Sequence, residues 1–142
     1  MPTTTPSTVQ SPLNLLLTIK PGQVASVQQA LAQNQAKLNE ALTTVGTVHF
    51  ARFLFVPNTQ LLFVLTEYDG DFSTYIEAFV QRLGPIFDAL LSFMDPAPPL
   101  PVSKYPKEFE AFIRKYNVGT GFYSAYPQCT VMQIWGKGCA KP

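Results

Sequence analysis

Apolar and polar residues in the first half of the chain follow first a strand-like, then a helix-like, then again a strand-like pattern. Leu13, Leu15, Leu17 and Ile19 recur at every second position, as they do on one face of a strand. The patterns predict a strand at 14–19, a helix at 23–44 and two further strands at 47–56 and 61–68. Because only residues 57–60 separate the two later strands, we expect them to pair as an antiparallel hairpin.

The second half of the chain is predicted to be mainly helical. Asp71 is a predicted N-cap of a helix with a long apolar stripe, and Gly84 followed by Pro85 is expected to interrupt that helix. Several prolines between residues 95 and 102 indicate an extended connector. The remaining predicted elements are a helix at 105–117, a short fourth strand at 121–126 and a helical turn at 130–135.

This order of elements predicts the fold class α+β, as a ferredoxin-like βαββαβ unit. We expect a four-stranded antiparallel sheet of order 4-1-3-2, with the helices on one face and an extra helix before the last strand. Residues 1–11 are predicted to be a disordered leader, 12–136 a single domain and 137–142 a C-terminal tail.

Composition adds a prediction about assembly. The chain has 142 residues, of which 46% are apolar and 13% charged, whereas about 25% of the residues in a typical domain are charged. A sheet with helices on one face leaves its other face bare, and so apolar a chain is expected to cover that face with a second copy. We therefore predict a homodimer.

Charge and cysteine content exclude or favour several classes of partner. The net charge is +1 with no basic run, so nucleic-acid binding is not expected. The sequence carries neither a secretory signal nor an apolar run long enough to span a membrane, which predicts a cytoplasmic protein with no membrane partner. In that compartment Cys129 and Cys139 are expected to be free thiols.

Three segments resemble the ferredoxin-like dimeric α/β-barrel superfamily. They are Ile19-Lys20-Pro21-Gly22 before the first helix, His49-Phe50-Ala51-Arg52-Phe53 in the second strand, and residues 68–76 at the junction of the third strand and the next helix. The last segment is similar to uncharacterised and peroxidase-associated members. The resemblance implies this fold, and it leaves the function open among cofactor-independent monooxygenases (oxidoreductases), small decarboxylases, cyclases, haem-handling proteins and members with no known activity.

His49 is the only histidine, and it lies in an apolar strand. A neutral imidazole there can transfer a proton or ligate a haem iron, or it can be a core histidine satisfied by one hydrogen bond. Strict alternation places Arg52 on the opposite face, where it either pairs with Glu67, Asp69 or Asp71 or holds an anionic ligand. A bulge in the strand would let His49 and Arg52 converge.

A hydrophobic pocket is predicted between the sheet and the helices. Tyr68 and Asp69 lie where its mouth is expected, and the residues predicted to contact a small apolar ligand are Phe53, Tyr75, Phe79, Tyr123 and Tyr126. Three functions remain open at this point. The first is an enzyme acting on an apolar or aromatic substrate without an organic cofactor, with His49 transferring the proton and Arg52 or a tyrosine holding an anionic oxygen. The others are a haem-binding, peroxidase-like protein and a non-catalytic dimeric binding module.

Overall fold

Three antiparallel strands form one sheet in this protein, whose computed structural model describes residues 9–119 and 121–139. In chain order the elements are β1 (Gln10–Thr18), α1 (Val24–Gln33), α2 (Gln35–Val45), β2 (Val48–Phe55), β3 (Leu61–Asp69), α3 (Phe72–Leu91), α4 (Pro106–Tyr116) and α5 (Val131–Trp135). The sheet has the order β1-β3-β2, as predicted for the first three strands. The fold class is therefore α+β, and the hairpin of β2 and β3 is confirmed.

The inner face of the sheet forms the core with the helices. Leu15 of β1 lies opposite Val64 of β3, and both side chains are at most 4% exposed. They belong to one apolar cluster with Phe79 of α3 and Phe109 of α4. The strands therefore bury the side chains that alternation assigned to one face.

The opposite face, called the outer face below, is largely open to solvent in the single chain. It carries Phe50, Arg52 and Leu54 of β2 together with Leu65 and Glu67 of β3. Phe50 is 66% and Leu54 43% exposed. Large apolar side chains on an open sheet face are typical of a surface that binds something.

The helix predicted over residues 23–44 consists of two helices, α1 and α2, with Asn34 between them. The Asn34 side-chain amide donates a hydrogen bond to the carbonyl of Ala30 over 2.8 Å. Asparagine side chains that bond the nearby backbone in this way compete with helix continuation. Gly46 ends α2 with a φ of +72°, a left-handed conformation that suits glycine.

The expected interruption of the next helix at Gly84 and Pro85 is wrong, because α3 runs unbroken through both residues for 20 residues. Pro85 cannot donate to the carbonyl of Gln81, but both residues are exposed, so water can bind that carbonyl instead. The predicted cap is confirmed, since the Asp71 carboxylate accepts from the backbone N–H of Thr74 over 2.9 Å. Within the described residues no helix is long and apolar enough to cross a membrane.

The predicted fourth strand is wrong: the described residues of 121–126 form no strand. The free edge of β1 instead meets the end of α4, through a bridge of Leu15 with Asn117 and a hydrogen bond of 2.7 Å from the Val118 N–H to the Asn14 carbonyl. Gly119 follows with a φ of +104°, and a Cβ there would lie 2.8 Å from the Asn14 side chain. The chain leaves the sheet edge at this glycine, so the described residues do not form the four-stranded layout of a ferredoxin-like unit.

The first strand begins two residues before the predicted start of the domain. β1 begins at Gln10, inside the predicted leader, and residues 1–8 lie outside the described residues. Gln10 is buried, and its side-chain amide donates to the carbonyls of Tyr126 and Cys129 over 2.8 and 2.9 Å.

The prediction of free thiols is wrong, because Cys129 and Cys139 form a disulfide with a Cα–Cα distance of 5.7 Å. The last three residues of the predicted tail lie outside the described residues.

Candidate functional site

A β-bulge in β2 determines where the His49 side chain lies. Val48 pairs with Tyr68 and Phe50 pairs with Glu67, so His49 is an extra residue between two successive pairs of the ladder. Bulges of this kind change the direction of a side chain relative to strict alternation. The imidazole consequently reaches the end of β3, where Asp69 is located.

His49 and Asp69 form a buried hydrogen-bonded pair. The distance from His49 Nε2 to Asp69 Oδ1 is 2.6 Å, and the two side chains are 7% and 6% exposed. Asp69 Oδ2 accepts a second bond of 2.7 Å from the backbone N–H of Val131 in α5. A carboxylate only accepts, so Nε2 carries a hydrogen, and in the neutral form of the ring Nδ1 is then the nitrogen with the lone pair. The pair can therefore present a neutral imidazole as a base with a fixed tautomer.

A shallow groove of about 250 Å³, called the His49 groove below, adjoins this pair. Its walls are Val48, His49, Phe50, Val131, Ile134 and Trp135. The five residues other than His49 have apolar side chains, and Phe50 and Trp135 are 66% and 54% exposed. Such walls suit a small apolar or aromatic molecule.

Arg52 lies on the outer face and lines a different groove, of about 330 Å³, called the Arg52 groove below. Its walls include Glu67 and Phe122, and it shares Phe50 with the His49 groove. The bulge is present, but it does not bring His49 and Arg52 into one groove. Among the described residues Arg52 and Glu67 form no ion pair, with each other or with another residue.

Several predicted site residues lie in the core instead of at a pocket. Phe53 packs against the core, and the rings of Tyr68 and Tyr75 stack with centroids 4.3 Å apart. Tyr75, Phe79 and their neighbours line a cavity of only about 10 Å³ between sheet and helices, which has room for one water molecule at most. This cavity is therefore too small to hold a substrate.

Burial shapes the chemistry of the two stacked tyrosines. It raises the pKa of Tyr75 well above the ordinary value. It also raises the pKa of Tyr68, against a smaller opposing effect of a hydrogen bond with Ser11. Both phenols therefore stay protonated at neutral pH, and neither can serve there as a base.

Tyr123 and Tyr126 lie near the C-terminal end of the described chain. They are 86% and 57% exposed. Tyr126 lines a groove of about 310 Å³ with Ile134, Lys137 and Cys139. Ile134 is common to this groove and the His49 groove, so the two are neighbours on α5.

A larger groove, of about 630 Å³, lies between α3 and α4, where the sequence suggested no site. Glu77, Lys107 and Glu110 are among its walls. Glu110 accepts hydrogen bonds from Ser73 and Arg114, which lower its pKa. The charged groups here are exposed or paired, so this groove lacks a buried reactive side chain.

Sequence reasoning missed the part that α5 plays in the His49 groove. Val131, Ile134 and Trp135 come from a five-residue helix that the pattern predicted only as a turn before a tail. The signal was present in the two cysteines that flank this helix, because a bridge between them would fold the segment back on itself.

The residues around His49 do not fit a haem. Metal-ligating histidines often donate their other nitrogen to a carboxylate, as His49 does. However, the His49 side chain is 7% exposed, and the adjoining groove of about 250 Å³ is smaller than the roughly 300–1,000 Å³ of pockets for drug-sized ligands. The described residues also contain no group of three His, Cys, Asp or Glu side chains that could hold a metal ion.

Comparison with known proteins adds no relative from which a function could be inferred. Neither the family models, nor the curated proteins, nor the solved structures contain a match to this chain. The resemblance to the dimeric α/β-barrel superfamily therefore stays a prediction. What is shown of this protein is an α+β chain with a three-stranded antiparallel sheet and a buried histidine–aspartate pair beside an apolar groove.

Proposed function

We propose that this protein is an enzyme that transfers a proton to or from a small aromatic molecule bound in the His49 groove. The observation that carries the proposal is the 2.6 Å hydrogen bond between His49 and Asp69 next to a groove with otherwise apolar walls. An apolar strand has no structural need for a histidine. A histidine oriented by a buried carboxylate is the usual arrangement of a general base.

Each group of the pair has its own part in the proposed reaction. His49 Nδ1 takes a proton from the bound molecule and returns it to another atom of that molecule or to water. Asp69 keeps the hydrogen on Nε2 and stabilises the imidazolium that forms, because its negative charge lies 2.6 Å away. No organic cofactor takes part in this proposal.

Arg52 suggests that the substrate is an aromatic acid. Three residues along an extended strand span about 10 Å, and Phe50 between them forms a wall of both grooves. A molecule whose ring lies over Phe50 can place a carboxylate at Arg52 while its other end reaches His49. Arg52 is available for this because no acidic side chain of the described chain pairs with it.

The test measures proton transfer directly, with phenylpyruvate as the probe. This keto acid has an aromatic ring, a carboxylate and acidic benzylic hydrogens, whose exchange in heavy water can be followed by NMR. The wild type should catalyse exchange at least about 100-fold faster than His49→Gln, and Asp69→Asn should be intermediate. Arg52→Gln should raise the half-saturating concentration about tenfold, because a charged hydrogen bond is lost.

Two controls make the result decisive. The Gln amide of His49→Gln can still donate to Asp69, so the fold should survive, which circular dichroism checks. Lys107→Gln removes a cation from the distant groove between α3 and α4 and should behave as the wild type. A folded His49→Gln variant that exchanges at the wild-type rate would overturn the proposal. So would a Soret band on haem titration that is lost in His49→Gln, because His49 would then be an iron ligand.

A non-catalytic dimeric binding module is the second candidate, and the outer face favours it. Phe50 and Leu54 are exposed there, while Arg52 and Glu67 have no partner of opposite charge in the described chain. In this alternative, a second copy covers the outer face and supplies those partners. The two candidates compete, because a dimer of this kind would close the Arg52 groove.

A further inference from the structure

The disulfide closes a short loop that contains α5. Cys129 and Cys139 are ten positions apart, and Val131–Trp135 lies between them. Cys129 is 1% exposed, whereas Cys139 is only half-buried. The sulfur of Cys139 is therefore the one that a reductant reaches first.

This loop is also a structural part of the histidine–aspartate site. Three of the six residues that line the His49 groove, Val131, Ile134 and Trp135, belong to α5. The Val131 N–H supplies one of the two hydrogen bonds that hold the Asp69 carboxylate. A displacement of α5 would therefore change both the groove and the environment of the base.

The contacts of α5 on its own are weak. Only Val131 is buried, while Met132 and Trp135 are 62% and 54% exposed. A helix of five residues is far below the length at which helices are stable in isolation. The capping box between Thr130 and Gln133 is local to the loop and does not attach it to the sheet. The bond from Cys139 to the buried Cys129 returns the far end of the loop to the domain.

We propose that the Cys129–Cys139 disulfide is a redox latch, which holds α5 over the His49–Asp69 pair when oxidised and releases it when reduced. On release the Val131 N–H leaves Asp69 and half of the groove wall is lost. The latch would regulate the His49–Asp69 site, so its effect on activity rests on the proposed function. The release of α5 on reduction does not depend on that function.

The reductant is a dithiol, either a small molecule or a protein. Its thiolate attacks Cys139 Sγ, the S–S bond breaks, and Cys129 leaves as a thiolate. The second thiol of the reductant then displaces Cys139 from the mixed disulfide. The dithiol is oxidised to a disulfide, the cystine is reduced by two electrons, and the two protons from the dithiol end on Cys129 and Cys139.

Amide hydrogen exchange of the full chain tests the latch, with dithiothreitol as the reductant. The Val131 amide should exchange at least about tenfold faster after reduction, because its bond to Asp69 opens. The Tyr75 amide, which bonds the Asp71 carbonyl over 2.9 Å in α3, is the internal control and should not change. Cys139→Ser should show the fast Val131 exchange with and without dithiothreitol.

The possible results separate the latch from a simple structural bridge and from the proposed function. An unchanged Val131 rate after complete reduction overturns the latch, and so does equal acceleration of Val131 and Tyr75, which would mean global destabilisation. Faster Val131 exchange with altered phenylpyruvate exchange supports the whole proposal. Faster Val131 exchange with equal activity in both redox states supports the structural latch and overturns its regulatory effect. Loss of the proposed function would appear separately, as identical rates of wild type and His49→Gln in the oxidised state.

Discussion

Tyr75 is a residue whose hydroxyl is poorly accommodated by the fold. The hydroxyl is buried and makes no hydrogen bond in the described part of the chain. Replacing it in Tyr75→Phe should raise the free energy of unfolding by about 1 kcal/mol, because a buried unpaired polar group is removed while the ring stays. Urea titration measures this value, and Tyr123→Phe, at an exposed site, should leave it unchanged.

The same substitution should change stability in alkali. Burial raises the pKa of Tyr75 above the ordinary 10.0, so the folded state keeps a proton that the unfolded state loses. The contribution of Tyr75 to stability is therefore complete below pH 10 and is lost as the pH rises beyond it. Between about pH 9 and pH 11 the wild type should lose more stability than Tyr75→Phe. Equal losses would contradict the assignment.

At the residue scale, the sequence identified the members of the candidate pair but not their pairing. His49 could be singled out because it interrupts an apolar strand, and Asp69 because it follows the next strand at the expected mouth of a pocket. Alternation made Asp69 a candidate partner for Arg52. Because of the bulge between Val48 and Phe50, Asp69 instead forms a hydrogen bond with His49. A bulge depends on the pairing of two distant segments, so periodicity within one strand cannot reveal it.

At the scale of elements, the N-cap of α3 leads to a prediction about how thermal stability depends on pH in acid. Hydrogen bonds from the Thr74 backbone N–H and hydroxyl lower the pKa of Asp71. The carboxylate therefore stabilises α3 above the ordinary aspartate pKa of 3.8, and this is lost as the pH falls through the lowered pKa. Asp71→Ala should lower the thermal midpoint at about pH 7, and the difference from wild type should shrink near pH 2.

Asp71→Asn is the matched control for that prediction. Asparagine caps helices as well as aspartate does, so the midpoint at neutral pH should stay near that of the wild type. Because the amide does not titrate, the contribution of this cap to the thermal midpoint should not decrease as the pH falls. A constant difference between wild type and Asp71→Ala across this pH range would refute the proposed role of the carboxylate.

The elements that the sequence predicted well are those with long and regular patterns. Three strands, their order and the capped start of α3 follow from alternation, a short connection and one aspartate. The fourth strand was wrong because its pattern was short and Gly119 turns the chain away from the edge of β1. The split at Asn34 depends on one side-chain hydrogen bond, which an apolar stripe does not show.

At the scale of the whole molecule, the open outer face leads to a prediction about assembly. If a second copy covers this face, Leu54→Glu should place a charge in the interface and weaken dimerisation at least about tenfold. Ala111→Glu adds the same charge at an exposed position of α4 and should dimerise as the wild type does. Light scattering over a range of concentrations measures both variants. A wild type that stays monomeric throughout would contradict the prediction.

The walls of the His49 groove also make the site easy to observe. The chain has a single tryptophan and a single histidine, and Trp135 and His49 line the same groove. All of the tryptophan fluorescence of the protein therefore originates at this groove. In a proton NMR spectrum, the imidazole signals likewise come from one residue. Occupancy of the groove, protonation of the base and movement of the bridged loop can thus each be followed in unlabelled protein, without introducing a reporter that would disturb them.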